Sequence, residues 1–462
     1  MSIDQKADLI LENAEIKTLD NESPSAESVA IKNGRIAALG TMREIQPLKS
    51  IKTIVIDCGG KTVVPGFIDA HCHFNALVRK LLSIDLSPAS VSSINDIKNA
   101  VHRKTLNTAA GKWITGTDYN EFYLKEKRHP TRRDLDEAAP YHPVVLCHRT
   151  LHACALNSLA LKLMGITGET EEPEGGRIER DIETGEPNGV LYNMLNMVMK
   201  NIPPIDKQEQ EKGVKQADRL LIENGITSFT DATITNDTAR WEEFCSLKRQ
   251  GKITSRISMM PGISFMQEFK DKGLITGKFD ENCRIGPLKI VVNETGHNTT
   301  VPSQSELNEM VLKANRSGFS AAIHAIEKSC VESAAEALEY AAQNTAPDDL
   351  RNRVEHCSEC PQELRKRLAD INAIIVTQPS FIYYSGQRYL EQVDRETQRW
   401  LYPFRSLIKS GLITAGSSDF PVVPVNPLHG IYAALTRRAM TGEYVQKSEA
   451  VSIQQAVEMF TI

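Results

Sequence analysis

Eight short apolar segments, separated by helix-like stretches, constrain the fold of this 462-residue chain more than any other feature. Seven follow residue 222, at 225–231, 255–260, 286–292, 321–324, 353–356, 373–378 and 412–417. The eighth, 64–71, lies far upstream. Helix-like stretches sit between most of them, such as 305–317, 328–343 and 362–369. Strands buried on both faces read as continuous apolar runs, and parallel strands need helical crossovers. Eight such units predict an α/β protein built on a (β/α)8 TIM barrel. A doubly wound open sheet shares the pattern without closing.

The rest of the chain departs from this alternation in two places. Residues 8–66 carry short β-like runs broken by turns, including 29–31 before Asn33-Gly34 and 53–57 before Gly59-Gly60. They predict a small N-terminal β-sandwich domain over 1–66, with the barrel domain over 67–462. Residues 75–222 fall between the first and second barrel strands and are too long for a βα loop, so they form an inserted subdomain. Leaving the C-terminal end of a strand, it is expected over the barrel mouth, where active sites of this fold lie. Its Gly175-Gly176 and Gly185…Gly189 pieces match no phosphate-binding template and read as turns.

Composition narrows the function. There are 59 acidic and 54 basic side chains, a net charge of −5, so no nucleic acid or acidic membrane surface is indicated as a partner. The basic run 125–133 is interrupted by Glu126 and Pro130 and reads as a solvated loop. No apolar run reaches membrane-spanning length. Nine cysteines, scattered without a disulfide-like framework and with no secretory leader, point to a reducing, cytoplasmic setting.

The segment 65–73 reads Pro-Gly-Phe-Ile-Asp-Ala-His-Cys-His. On a strand, His71 and His73 face one way and Cys72 the other. Two neutral imidazoles on one rigid edge suit a zinc-type ion. Four more residues sit on other barrel strands, at or near their ends: His324, His356, Asp419 and, inside an apolar run, Lys289. Singly, each has an ordinary reading: a satisfied core histidine, a helix N-cap for the aspartate, a snorkelling lysine. Together they fall where strand ends converge. A buried ammonium is costly unless paired or neutralised, so Lys289 requires a reason.

This set, with Val63-Val64-Pro65-Gly66-Phe67, resembles the amidohydrolase superfamily, in particular the amidohydrolase-3 branch that includes the N-substituted formamide deformylases. The resemblance extends through Asn157–Leu161, Glu174–Ile178, Gly185–Gly189, Arg353–His356, Gln378-Pro379-Ser380 and Ser418-Asp419-Phe420-Pro421. It implies two divalent metals, most often zinc. His71 and His73 would bind the first and His324 and His356 the second. Lys289, carboxylated on its side-chain nitrogen, would bridge them, and Asp419 would complete the coordination of the first metal. It further implies attack of a metal-bound hydroxide on a small-molecule amide, formamide or cyclic amide, with Asp419 moving the proton, and often a homodimer. An uncarboxylated Lys289 would leave one metal, as in a mononuclear zinc deaminase using His71, His73, His324 and Asp419. A non-catalytic binding protein of the same fold is the remaining alternative.

Two departures bear on this. Asn293-Glu294 stands where the family often has Asp-Gly, so a pocket loop has changed. The chain stops at Ile462, where the family continues with strands returning to the β domain, so that domain is expected to be incomplete. His152 is expected to contact substrate rather than to form a second zinc site with Cys147, His148 and Cys154. Arg149 and His297 are expected to line the pocket, and Cys357-x-x-Cys360 to be two free thiols.

Overall fold

The structure is a computed structural model, and it describes residues 6–150, 152–173, 175–280, 282–295, 299–345 and 350–462. The chain forms two compact units. One comprises Met1–His73 with Leu221–Ile462, the other Phe74–Leu220.

In the first unit all eight predicted barrel strands form: Phe67–Cys72, Ile226–Asp231, Arg256–Met259, Leu288–Val291, Ala321–Ala325, Arg353–His356, Ile374–Thr377 and Thr414–Gly416. They lie in two five-stranded sheets, and the ladders among them are parallel. The fourth strand carries the sheets' junction. Gly286-Pro287 cuts it in two, because proline has no N–H to give a ladder. Its first half, Cys283–Ile285, pairs with Arg256–Met259, and its second, Leu288–Val291, pairs with Ala321–Ala325. Backbone bonds bridge the break: Gly286 N–H donates to Met259 O at 2.8 Å and Lys289 N–H to Pro261 O at 2.8 Å.

The first and last strands share no ladder of their own. The C-terminal segment lies between them, with Ile68 N–H donating to Phe460 O and Gly416 N–H to Met459 O, both at 2.6 Å. The Phe460 ring fills the space a β-carbon would need at Gly416 and Gly430, 2.6 and 2.5 Å away. Neither position accepts alanine without movement of a buried ring.

The crossover helices bury one face. Lys328–Asn344 turns Val331, Ala334, Ala335, Leu338 and Ala341 inward, at helical spacing. They join Ile323, Val354 and Ile375 of the strands in one core, each large side chain contributing roughly 1.5–3 kcal/mol of transfer free energy. Gln304–Arg316 starts one residue before the predicted 305 because Ser303 and Glu306 close a capping box there. The N-terminal stretch forms a four-stranded sheet, which packs Ile10, Ala30 and Ile45 into a small core, and a three-stranded sheet.

The second unit holds a six-stranded mixed sheet in the order Arg177–Arg180, Pro187–Tyr192, Ala153–Leu156, Val144–His148, Ile114–Tyr119 and Ile84–Asp85. Among the described residues, no helix is long and apolar enough to cross a membrane.

Candidate metal centre

Strand ends of the first unit bring the six predicted ligand residues together. His71 is buried near the end of Phe67–Cys72. As alternation requires, the Cys72 thiol points elsewhere, donating to Thr230 O at 3.3 Å. His73 follows the strand, its Nε2 3.2 Å from Asp419 Oδ1, and its Nδ1 is 2.9 Å from Thr233 Oγ1. The same Asp419 oxygen is 3.8 Å from His71 Nε2. Among the described residues, His71, His73 and Asp419 form the one group whose three donor atoms all lie within 4.8 Å.

Lys289, His324 and His356 adjoin that group. Lys289 Nζ is 3.3 Å from His71 Nε2. The His356 ring lies 4.9 Å from that of His71 and 4.3 Å from that of His324. His356 and Asp419 both hold left-handed backbone, at φ 67° and 58°. Such strain persists where surrounding structure over-determines it. It matters at His356. Glu355 and His356 are consecutive, yet both meet His71. A regular strand would send them to opposite faces.

Hydrogen bonds fix which ring atoms face inward. His71 Nδ1 contacts the Glu355 carboxylate, which only accepts, so the proton sits on Nδ1 and Nε2 keeps its lone pair. His356 Nδ1 lies 2.8 Å from Gln378 Oε1, while Gln378 Nε2 donates to Ser417 Oγ at 3.0 Å. The amide so oriented leaves the His356 Nε2 lone pair inward, buried and without a partner. Asp419 Oδ1 is likewise buried without a hydrogen bond, although His73 Nε2 lies 3.2 Å away. Buried donor atoms without a hydrogen bond, His356 Nε2 and Asp419 Oδ1, beside an imidazole nitrogen whose proton is held on its far side, fit a divalent cation.

Electrostatics agree. Burial holds the His71 and His356 imidazoles well below the usual histidine range, with neighbouring cationic groups adding to it. Burial, then the Lys289 charge, brings His324 down to about 4. All three are neutral, ligand-competent rings near pH 7. Burial lowers the Lys289 amine to about 8 against the pull of Glu355 and Asp419. Behind the site, burial raises Asp69 to about 7, opposed by bonds from Ser418 N–H (3.1 Å) and Ser418 Oγ–H (2.5 Å).

Several supporting residues escaped the reading of the sequence. Glu355 and Arg353 stand two apart on one strand, and Gln378, Thr233, Asp69 and Ser418 contact the candidate ligands or their loops. The signal for the first pair was present: two charges at i and i+2 in an otherwise apolar strand.

His152 and Arg149 belong to the second unit, both exposed. His152 Nδ1 is 3.0 Å from Asn193 Oδ1, and Arg149 N–H donates to Tyr119 O at 2.9 Å. His297 falls outside the described residues. Cys147 and Cys154 face each other across antiparallel strands as free thiols, and His148 pairs instead with Glu121 at 2.9 Å. Cys357 and Cys360 are buried free thiols. In the first unit a cleft of about 950 Å³ is lined by Glu294, Glu327, Glu332, Glu336, Glu359 and Asp394 against one cation, Lys328. Two of its lining residues, Glu327 and Glu359, follow His324 and His356 by three residues in sequence. Burial, with Glu327, Glu294 and Asp394 nearby, raises the Glu359 carboxyl.

Comparison with known proteins adds an independent line. Residues 54–462 match the amidohydrolase family. The N-substituted formamide deformylase of Arthrobacter pascens is 29% identical over 491 residues, spanning 99% of this chain and 89% of that protein. Protein LONG AFTER FAR-RED 3 of Arabidopsis thaliana is 26% identical, spanning 99% and 82%. Among solved structures, an uncharacterized metal-dependent hydrolase from Pyrococcus horikoshii superposes with a TM-score of 0.79 at 22% identity, spanning 98% and 91%.

Proposed function

The chain belongs to the amidohydrolase family, and from that premise we propose that it is a metal-dependent hydrolase cleaving a non-peptide C–N bond of a small amide, formamide or cyclic amide. Its eight parallel strands are read as a closed (β/α)8 barrel, supported by the Lys289–Pro261 backbone bond at one junction and Asp419 N–H to His71 O, 2.9 Å, at the other. The observation that carries the reading is the set of buried, unpartnered donors: His356 Nε2 and Asp419 Oδ1, beside the His71 Nε2 lone pair.

His71, His73 and Asp419 would hold one ion, His324 and His356 a second, and Lys289 would serve both once carboxylated. The ammonium would first give up one proton; the neutral amine would then add to carbon dioxide, an N–C bond forming as one C=O π bond becomes a C–O anion, and lose a second proton, so a buried cation becomes an anion. Nitrogen donors with carboxylates suit zinc. A divalent ion there supplies an acidified water, its pKa falling from ~16 to about 7, and a polarised substrate carbonyl. Asp419, holding the ion through one carboxylate oxygen, would take the water proton on the other and return it to the departing nitrogen. The neutral rings of His71, His324 and His356 add no positive charge to repel the ions. Nine free thiols support a reducing, cytoplasmic setting.

A single-ion centre is the second reading, because among the described residues His71, His73 and Asp419 are the one group of His, Cys, Asp or Glu side chains that brings three donors within 4.8 Å. Metal analysis of purified protein separates them: two equivalents support the first, one the second, none leaves a binding protein. A screen of N-formyl amines and small amides tests the bond. Release of amine from none of them, by metal-loaded protein, would remove this substrate class.

A further inference from the structure

We propose that Glu355 is a positioning residue for the metal centre, and that Arg353 holds it in place. The proposal rests on the metal-dependent reading above. The Glu355 side chain is wholly buried. One carboxylate oxygen, Oε2, contacts His71 Nδ1 and also accepts from Arg353 Nη2 at 3.0 Å, while Oε1 accepts from Arg353 Nε at 2.7 Å. The same Nη2 donates to Ala70 O at 2.8 Å. The guanidinium fork therefore binds both the carboxylate and the backbone just before His71. Ring and carboxylate are fixed relative to one another although 284 residues separate them.

A merely structural ion pair explains less. Removing two charges from water costs several kcal/mol per ion before their attraction returns it, and an apolar pair of similar volume often serves a core equally well. Arg353 alone would satisfy Glu355. The third contact, to His71 Nδ1, sets the ring's tautomer, fixes its plane and raises the basicity of Nε2. Partners of this kind change metal affinity by about 10–100-fold. Lys289 and Asp419 meet this Nε2, so its direction governs the centre at which both act.

The test measures metal affinity rather than turnover. Wild type, Glu355→Gln and Glu355→Asp are stripped of metal, and zinc affinity is measured by competition with a chromogenic chelator. Cobalt(II) spectra report coordination, and melting of the apo forms reports folding. Glu355→Gln keeps the shape but loses the charge, and we expect it to bind the tightest zinc about 10–100-fold more weakly, with a changed cobalt spectrum. Glu355→Asp keeps the charge but withdraws it by a methylene, and should lie between. If Glu355→Gln fails to fold, Glu355→Asp and Arg353→Lys carry the test, each expected at least ~5-fold weaker than wild type. Variants that fold yet match wild-type affinity within twofold, with an unchanged cobalt spectrum, overturn the positioning role. Wild type that binds no zinc in the same titration overturns the metal reading itself.

Discussion

Asp419→Asn separates the proton-carrying role of this residue from its place in the fold. Asp419 sits at φ 58°, a left-handed conformation that asparagine adopts readily and alanine does not. The contacts that fix its loop come from other atoms: Asp419 N–H to His71 O at 2.9 Å, Ser418 Oγ–H to Asp69, and Phe420 N–H to Ser418 Oγ at 3.0 Å. None uses the Asp419 side chain, so the variant should fold with little change in melting temperature. An amide oxygen can still face His73 Nε2, now 3.2 Å from Oδ1, so most bound metal should remain. What disappears is a group able to take a proton. General acid–base contributions start near 10²-fold, about 2.7 kcal/mol at 1.36 kcal/mol per decade. The expected result is a kcat lower by at least ~100-fold on the best substrate from the amide screen, with metal content by mass spectrometry near wild type. A rate within threefold of wild type, metal retained, would refute the role.

Three further outcomes are expected. Lys289→Ala should lose activity with at least one metal equivalent, and bicarbonate should speed metal reloading of apo wild type but not of the variant; retention of both metals would end the bridging role. Arg437 is wholly buried, donating to the carbonyls of Val445, Tyr402 and Leu401 at 2.8, 2.8 and 3.1 Å over the Phe404 ring. Arg437→Met would strand those three acceptors, at a cost of about 3–5 kcal/mol, seen as a lower urea midpoint; an unchanged midpoint would contradict it. Six carboxylates line the cleft that includes Glu327 and Glu359, so a carboxylate-bearing substrate should show a kcat/KM about 10-fold below its neutral isostere at low salt, the gap closing as salt screens it. Equal values at low salt would deny that this cleft admits substrate.

What was legible in the sequence follows from what each residue costs. The eight parallel strands read clearly because such strands are covered on both faces, and stretches such as Ile374–Thr377 have no polar alternation to confuse them. Most of the candidate ligands stand out because they sit at or just past the ends of those strands. The inserted unit did not. Val144–His148 and Ala153–Leu156 are equally buried, but they pair antiparallel across a short connection, among turn-rich pieces that dominate the local pattern. The cut at Gly286-Pro287 was visible as two residues unfit for a ladder, yet an apolar run on both sides concealed that its halves serve different sheets.

Glu355 is the instructive case. Lys289 drew notice because an ammonium in an apolar strand is expensive. The same reasoning applies to Arg353 and Glu355, two charges on one face of a strand whose other members are Val354 and His356. As a pair they neutralise one another, which made them resemble an internal ion pair with no further purpose. The partner that distinguishes the two cases, His71 Nδ1, lies 284 residues away, and no local pattern reports a contact at that separation. A neutral buried pair within a ligand-bearing strand is therefore as strong a signal as a lone buried charge. Its second contact, rather than its charge balance, decides whether it serves the fold or the site.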